Sequence, residues 1–249
     1  MKKIKLEKIL LVPDTHVPYH DKKALELVHK VAAYLKPDQI VIGGDFIDNY
    51  TVSAHSKDPN RALRLKEEVV ATIKELEKFK KLGAKKLVFL GGNHEDRLER
   101  YLMDKAPELY NIISTPKILE LERMGYKYHP YKESYRIGKL VLTHDLGKAG
   151  RTAHLKALDD AHHNIVIFHT HRLGYAVEGN INGDKHVGAM LGWLGDVETI
   201  DYKHKALAKK EWALAFGVAY HDPSTGNVHV QPVPIVNYSC VVEGKKFSI

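Results

Sequence analysis

Asp, His and Asn recur in this chain at places of one kind, the polar positions that follow a short apolar run. The run ending at Val12 leads to Asp14-Thr15-His16, and the run ending at Ile42 leads to Gly44-Asp45-Phe46-Ile47-Asp48. "LVFLGGNHEDR" (87–97) brings Gly92-Asn93-His94-Glu95. The runs at 139–142 and 164–168 end in Thr143-His144-Asp145 and His169-Thr170-His171. Imidazoles, carboxylates and one amide oxygen are a donor set for Mn²⁺, Zn²⁺ or Fe, and no thiolate is offered. These donors outnumber what one tetrahedral ion needs, so two ions can share them if one carboxylate bridges. Two ions about 3.5–4 Å apart form a clamp for in-line displacement at phosphorus. Residues two apart in a turning segment, as in D-x-H and H-x-H, can bring their tips to a common point.

Such donors share a crevice only if the apolar runs are neighbouring strands of one open sheet, whose ends converge on one edge. The pattern supports that. "KILLVPD" (8–14), "QIVIGGD" (39–45), "AKKLVFLGGN" (84–93), "KLVLTHD" (139–145) and "NIVIFHTH" (164–171) read as buried strands. Between them lie a helix over 21–36 capped by Asp21, a long charged helix over 60–83 stopped by Gly83, a helix opening at 95–105 and another over 149–161. Alternating strands and helices give an α/β fold. From about residue 173 the pattern changes to a hairpin turning at Asn182-Gly183, and then to antiparallel strands with turns at Pro223-Ser224 and Glu243-Gly244. No linker or repeat divides the chain, which predicts a single domain over 1–249.

The 249 residues are ample for a core, and no run of 18 apolar residues predicts a membrane span. The basic opening before Asp14 lacks the long apolar stretch of a signal peptide. One cysteine, Cys240, can form no internal disulfide, which predicts the cytoplasm and a buried inert thiol. The net charge of +7 permits an anionic partner such as nucleic acid or nucleotide without requiring one.

The ordered series D-x-H, G-D-x-x-D, G-N-H-[DE], a lone His and H-x-H resembles the calcineurin-like metallophosphoesterases, with all five blocks present over 14–171. The resemblance implies a four-layer αββα sandwich, with the antiparallel C-terminal strands extending the second sheet. It implies one metal held by Asp14, His16 and His171, a second held by Asn93, His144 and His169, and Asp45 bridging the two. It implies that His94 faces the leaving-group oxygen, as general acid or charge stabiliser, and that Asp48 orients it. Mn²⁺ is the expected ion, with Zn²⁺, Fe or Ni²⁺ as alternatives. The implied reaction is phosphoester hydrolysis, with a phosphodiester of nucleic acid or nucleotide as the leading substrate. A phosphomonoesterase, a catalytically silent binding protein on the same scaffold, and a nucleic-acid-binding module with structural metals are the rivals.

Two positions depart from the family pattern. Phe168 stands where Gly usually precedes H-x-H, and Asn49 stands where Ser/Thr protein phosphatases carry Arg. Arg97 is a candidate phosphate contact. His55, with Lys57, Arg61 and Arg64, lies on a loop that lines either a substrate groove or plain solvent. Lys148 and Arg151 follow His144 closely and are candidates of the same kind. Asp145 is either a partner for an imidazole N–H or a helix cap. Glu95 reads as an acidic residue at a helix start. Trp193 is a base-stacking candidate or core.

Overall fold

The central strands are apolar at successive positions because both of their faces are covered. In β1 (Glu7–Val12), Leu10 and Val12 enter one core while Ile9 and Leu11 enter another. In β2 (Gln39–Ile42), Ile40 and Ile42 face the first core and Val41 the second. This is the two-residue alternation of a pleated strand, here apolar on both sides.

The protein is described by a computed structural model over residues 5–58, 63–179, 181–200 and 209–249. In chain order, β1 and α1 (Lys22–Leu35) are followed by β2, α2 (Leu65–Lys80), β3 (Lys86–Leu90) and α3 (Asp96–Lys105). Two short helices, α4 (Thr115–Ile118) and α5 (Leu121–Met124), precede β4 (Tyr126–His129), β5 (Ser134–Ile137) and β6 (Leu140–Thr143). Then come α6 (Ala153–Ala161), β7 (Asn164–Ile167), β8 (Leu173–Gly179) and β9 (Lys185–Leu191). The chain closes with β10 (Ala215–His221), β11 (Val228–Pro234), β12 (Ser239–Val242) and β13 (Lys245–Ser248).

Two sheets face each other. The first has the order β11-β10-β1-β2-β3-β4, with β1 to β4 parallel; the second has the order β5-β6-β7-β9-β8. Ile9, Leu11, Val41 and Val88 of the first sheet meet Leu140, Leu142, Val166 and Leu191 of the second in the inter-sheet core. On the outer face of the first sheet, Leu25, Val28 and Leu35 of α1 pack with Leu76 and Phe79 of α2. On the outer face of the second sheet, Ala153, Ala157 and Leu158 of α6 pack over Ile165 and Ile167. The layers are therefore helix, sheet, sheet, helix, as the resemblance implied.

Local chemistry explains the helix boundaries. Asp21 caps α1 by accepting from the Ala24 N–H at 3.0 Å. The charged helix expected from residue 60 begins at Leu65, because Glu67 reaches back to the Arg64 N–H at 2.8 Å and fixes the first turn there. Residues 59–62, including Arg61, lie outside the described residues. The helix expected over 149–161 starts at Ala153.

One expectation is corrected. The hairpin of β8 and β9 does join the second sheet, but β10 and β11 join the first, β10 running antiparallel to β1 with Glu7 opposite His221. The reason is steric and apolar: Phe216 and Val218 of β10 complete the α1 core, and Gly217 admits Leu191 and Leu11, atoms that any Cβ there would meet at 2.6 and 3.1 Å. The last two strands form a separate two-stranded ribbon.

Candidate metal centre

The strand ends converge as the spacing requires, but the turns that follow them are not ordinary. His16, Asp45, His169 and His171 all have positive φ, between 47° and 61°. That region is rare for residues with a Cβ and persists at a site only when the surroundings enforce it. Thr15 and His16 donate backbone N–H groups to the Asp45 carbonyl at 3.0 and 2.9 Å, joining the first two blocks. Close approach explains two glycines. A Cβ on Gly44 would stand 2.5 Å from His144 Nδ1, and one on Gly92 would stand 2.2 Å from Asp45 Oδ1.

Two donor groups result. Asp14, His16 and His171 form one, with His16 Nε2 and His171 Nε2 3.1 Å apart and Asp14 Oδ2 3.1 Å from the latter. Asp45, His144 and His169 form the other. Asn93 Oδ1 joins it at 3.3 Å from His144 Nε2, and Asp45 Oδ1 stands 3.4 Å from the same nitrogen. His16, Asp48 and His94 form a third cluster. There His16 presents Nδ1, not the Nε2 that faces His171. Asp48 Oδ1 lies 3.1 Å from His16 Nδ1 and 2.8 Å from His94 Nδ1, so one carboxylate orients two rings, an arrangement typical of residues behind a ligand.

The electrostatics fit cations. Burial alone would raise the Asp45 carboxyl, but His144, His94 and His16 draw it well below the usual range. Burial would lower His144, yet Asp45 and Asp14 lift it to about 10. Burial lowers His171 to about 4 despite Asp14 beside it. The carboxylates thus favour positive charge at the centre, and a divalent ion would take the place of the proton held by His144. His169 Nδ1 is buried without a hydrogen-bond partner, as a nitrogen reserved for a ligand would be. The residues present therefore suit the metal ions of the resemblance.

Contacts that sequence reasoning missed hold the candidate ligands. Glu95 stands at the start of α3, as its sequence reads, but it is fully buried, and the physical reason is its acceptor role. Its carboxylate accepts from the backbone N–H groups of Asp45, Phe46, Ile47 and Gly92 at 2.7–3.2 Å, tying together the turns after β2 and β3. Burial, then Asp45, push its carboxyl up to about 7. Trp193 is buried and stacks on His171, with ring centroids 4.6 Å apart and planes 16° off parallel, while Trp212 meets His171 edge-on at 4.5 Å. Trp193 thus fixes a ring of the site and is not open to a base. Phe168 fits beside the unsubstituted Gly43, where a Cβ would lie 2.4 Å from its ring.

Asp145 is neither helix cap nor imidazole partner. It accepts from Tyr131 Oη at 2.6 Å and Lys132 Nζ at 3.1 Å, while His144 Nδ1 stands 2.9 Å from the Gly43 carbonyl. Among the described residues, Arg97 is the substrate-contact candidate that touches the centre. Its Nη1 donates to the Asp48 carbonyl at 2.9 Å, and its Nη2 lies 2.8 Å from His94 Nε2. Lys148 pairs with Asp160 of α6 at 2.7 Å, and Arg151 donates to Glu211 at 2.6 Å. His55 is exposed on its loop, where its backbone N–H donates to Ser53 Oγ at 3.2 Å.

Facing sheets with a histidine- and carboxylate-lined crevice at their strand ends define the class of metal-dependent phosphoester hydrolases. The model of the family described as calcineurin-like phosphoesterase matches residues 7–221, and the chain belongs to that family. It is similar to the Gene 54 proteins of Mycobacterium phages L5 and D29, at 26% and 27% identity over 98% of this chain and 99% of each relative. Among solved structures it is similar to TT1561 of Thermus thermophilus (12% identity, TM-score 0.39, covering 92% of this chain and 99% of that one). It is also similar to Yfce, a phosphoesterase from E. coli (15% identity, TM-score 0.42, covering 90% and 98%).

Proposed function

We propose that this phosphoesterase is a binuclear enzyme that hydrolyses phosphodiesters of nucleic acid or nucleotides, working as one domain in the cytoplasm. The observation that carries the binuclear reading is the pair of donor groups, Asp14, His16 and His171 in one and Asp45, His144 and His169 in the other, whose turns are joined by the Thr15 and His16 N–H groups donating to the Asp45 carbonyl. Asp14, His16 and His171 would hold one ion and Asn93, His144 and His169 the other, with Asp45 shared. When bound, the ions supply an activated water and neutralise charge on the phosphoryl oxygens. The mixed nitrogen and oxygen donors favour Mn²⁺, with Zn²⁺, Fe or Ni²⁺ able to substitute.

The chain's own groups then position the substrate. Asp48 fixes the rings of His16 and His94, and His94 Nε2 stands 3.7 Å from Asp45 Oδ2, beside the shared ligand. Arg97 and the +7 net charge supply attraction for an anionic ester. Among the described residues no helix is long and apolar enough to cross a membrane. The deciding experiment strips the protein of metal and restores Mn²⁺, Zn²⁺, Ni²⁺ or Mg²⁺ with bis-p-nitrophenyl phosphate and p-nitrophenyl phosphate as substrates. Metal-dependent cleavage favouring the diester is the expected result. Preference for the monoester overturns the diester assignment, and no cleavage in a protein that binds two ions makes it a binding protein.

A further inference from the structure

We propose that Glu211 is a positioning residue for the candidate metal centre: its carboxylate anchors the His169-Thr170-His171 turn from outside and so holds His171 toward its ion; this rests on the binuclear reading above. The turn needs an anchor. His169 and His171 have φ of 61° and 57°. Residues with a Cβ keep that conformation only when their surroundings enforce it. Glu211 lies ahead of β10, 39 positions beyond Arg172, so nothing in the local sequence of the turn announces it.

Two routes lead from Glu211 to the turn. The first runs through a side chain. Glu211 Oε2 accepts from Arg172 Nε at 2.9 Å and lies 2.8 Å from Arg172 Nη2, so one oxygen holds two donors of the same guanidinium. The third nitrogen, Nη1, donates to the Thr170 carbonyl at 3.3 Å, between the two histidines. The second route runs along the backbone. Trp212, the next residue, meets the His171 ring edge-on at 4.5 Å. Ala213 donates its N–H to the His171 carbonyl at 3.0 Å and accepts from the Trp193 N–H at 3.0 Å, while Trp193 stacks on the same imidazole. Glu211 therefore fixes, from one point, the arginine beside the turn and the segment that packs on His171.

Exposure ranks the contacts. The Arg172 side chain is 16% exposed and that of Glu211 27%, whereas Arg151, whose Nε donates to Glu211 Oε1 at 2.6 Å, is 78% exposed. Water and salt screen a sheltered pair less than an open one, and open pairs contribute little. The pair of Arg172 with Glu211 is thus the principal link, and Arg151 steadies the second oxygen. Glu211 acts through Arg172, Trp212 and Ala213, and has no direct part in the chemistry.

The test titrates the metal-free protein with Mn²⁺ in a calorimeter, for the parent, Glu211→Ala, Glu211→Gln, Arg172→Ala, Arg151→Ala and the double variant of Arg172→Ala with Glu211→Ala. Glu75→Gln, which alters an ion pair between α1 and α2, is the control for a purely structural loss. Glu211→Ala should weaken one of the two ions by about tenfold or more, the scale for contacts behind a metal ligand, and the other ion less. Arg172→Ala should match it, and the double variant should add little to either, because the two side chains act as one unit. Glu211→Gln keeps an acceptor oxygen and should recover part of the affinity, and Arg151→Ala should lose less than Arg172→Ala. The second readout needs no metal. Trp193 and Trp212 are the two tryptophans of the chain and both touch His171, so intrinsic fluorescence of the metal-free protein reports this contact. Glu211→Ala should shift the emission, and Glu75→Gln should not. Unchanged affinity for both ions in Glu211→Ala overturns the inference, as does weakening of both to the same extent or an unaltered emission. If the parent binds fewer than two ions, the binuclear reading fails, and the fluorescence still decides whether Glu211 holds the His171 turn.

Discussion

Around Asp45 three demands meet: a left-handed backbone, a carboxylate offered to the centre, and a backbone N–H that needs a partner. Glu95 answers the third and holds the next two residues as well. In Glu95→Gln the amide oxygen still accepts, but the amide nitrogen turns its own N–H groups toward donors. At least one buried N–H loses its acceptor, which costs about 1–3 kcal/mol. In a chain of this size that lowers the melting temperature by several degrees, at roughly 2–4 °C per kcal/mol. Calorimetry checks the stability, and titration of the metal-free protein with Mn²⁺ checks the accompanying loss of affinity. Glu95 was not legible as a brace because its acceptor role spans some fifty positions of sequence. The residues of the two donor groups could be picked out because each lies in the polar turn after an apolar run, a local signal that needs no knowledge of distant contacts. Trp193 and Trp212 were opaque for the same reason as Glu95, since their value lies in touching His171.

At the scale of elements, pairs of segments fit each other through one or two residues. The turn after β2 and the end of β7 fit because Gly43 leaves room for the Phe168 ring. Gly43→Ala would press a methyl group into a ring that is itself buried, an overpacking worth about 1–3 kcal/mol. Thermal denaturation should show the loss, and Phe168→Leu in the same protein should recover part of it. The helices α1 and α2 are joined by Glu75, whose oxygens lie 3.5 Å from His29 Nε2 and 2.7 Å from Lys78 Nζ. Burial would raise its carboxyl, but His29 and Lys78 bring it from the ordinary 4.5 to about 2. The unfolded chain then binds the proton more tightly, so this stabilisation is present above about pH 4.5 and fades as pH falls toward 2. Glu75→Gln should flatten the pH dependence of stability in that window, as measured by urea denaturation, and an unchanged slope would refute the link. The α1 boundaries could be read from Asp21 and the apolar stripe. The strand β4 could not, because its YKYH run carries a partly buried edge and no continuous apolar signal.

For the whole molecule, the candidate ligands come from both sheets. Asp14, Asp45 and Asn93 follow β1, β2 and β3, whereas His144 and His169 follow β6 and β7. Bound ions would therefore cross-link the two sheets and stabilise the folded state by mass action, by about 2.7 kcal/mol for each ion present at a hundredfold excess over its Kd. Chelation should lower the melting temperature by about 5–10 °C for each such ion. A chelator without effect on melting would show that the ions do not join the sheets. The layered architecture was legible from the alternation of strands and helices. The destination of the C-terminal strands was not, since apolar alternation marks a strand without saying which sheet it pairs with.

The pairing of Glu7 with His221 has a consequence for how the protein is made. As the chain leaves the ribosome, β2 follows β1 closely and covers one of its edges, but the other edge waits for β10. Until then a run of unpaired backbone groups beside Leu10 and Leu11 is open to any passing strand. The His171 turn is also incomplete until that late stretch arrives, because its carbonyl accepts from the Ala213 N–H at 3.0 Å. Metal capture at this candidate centre would wait for that stretch, and a nascent chain stalled before it would carry the candidate ligands without the contact that closes the His171 turn.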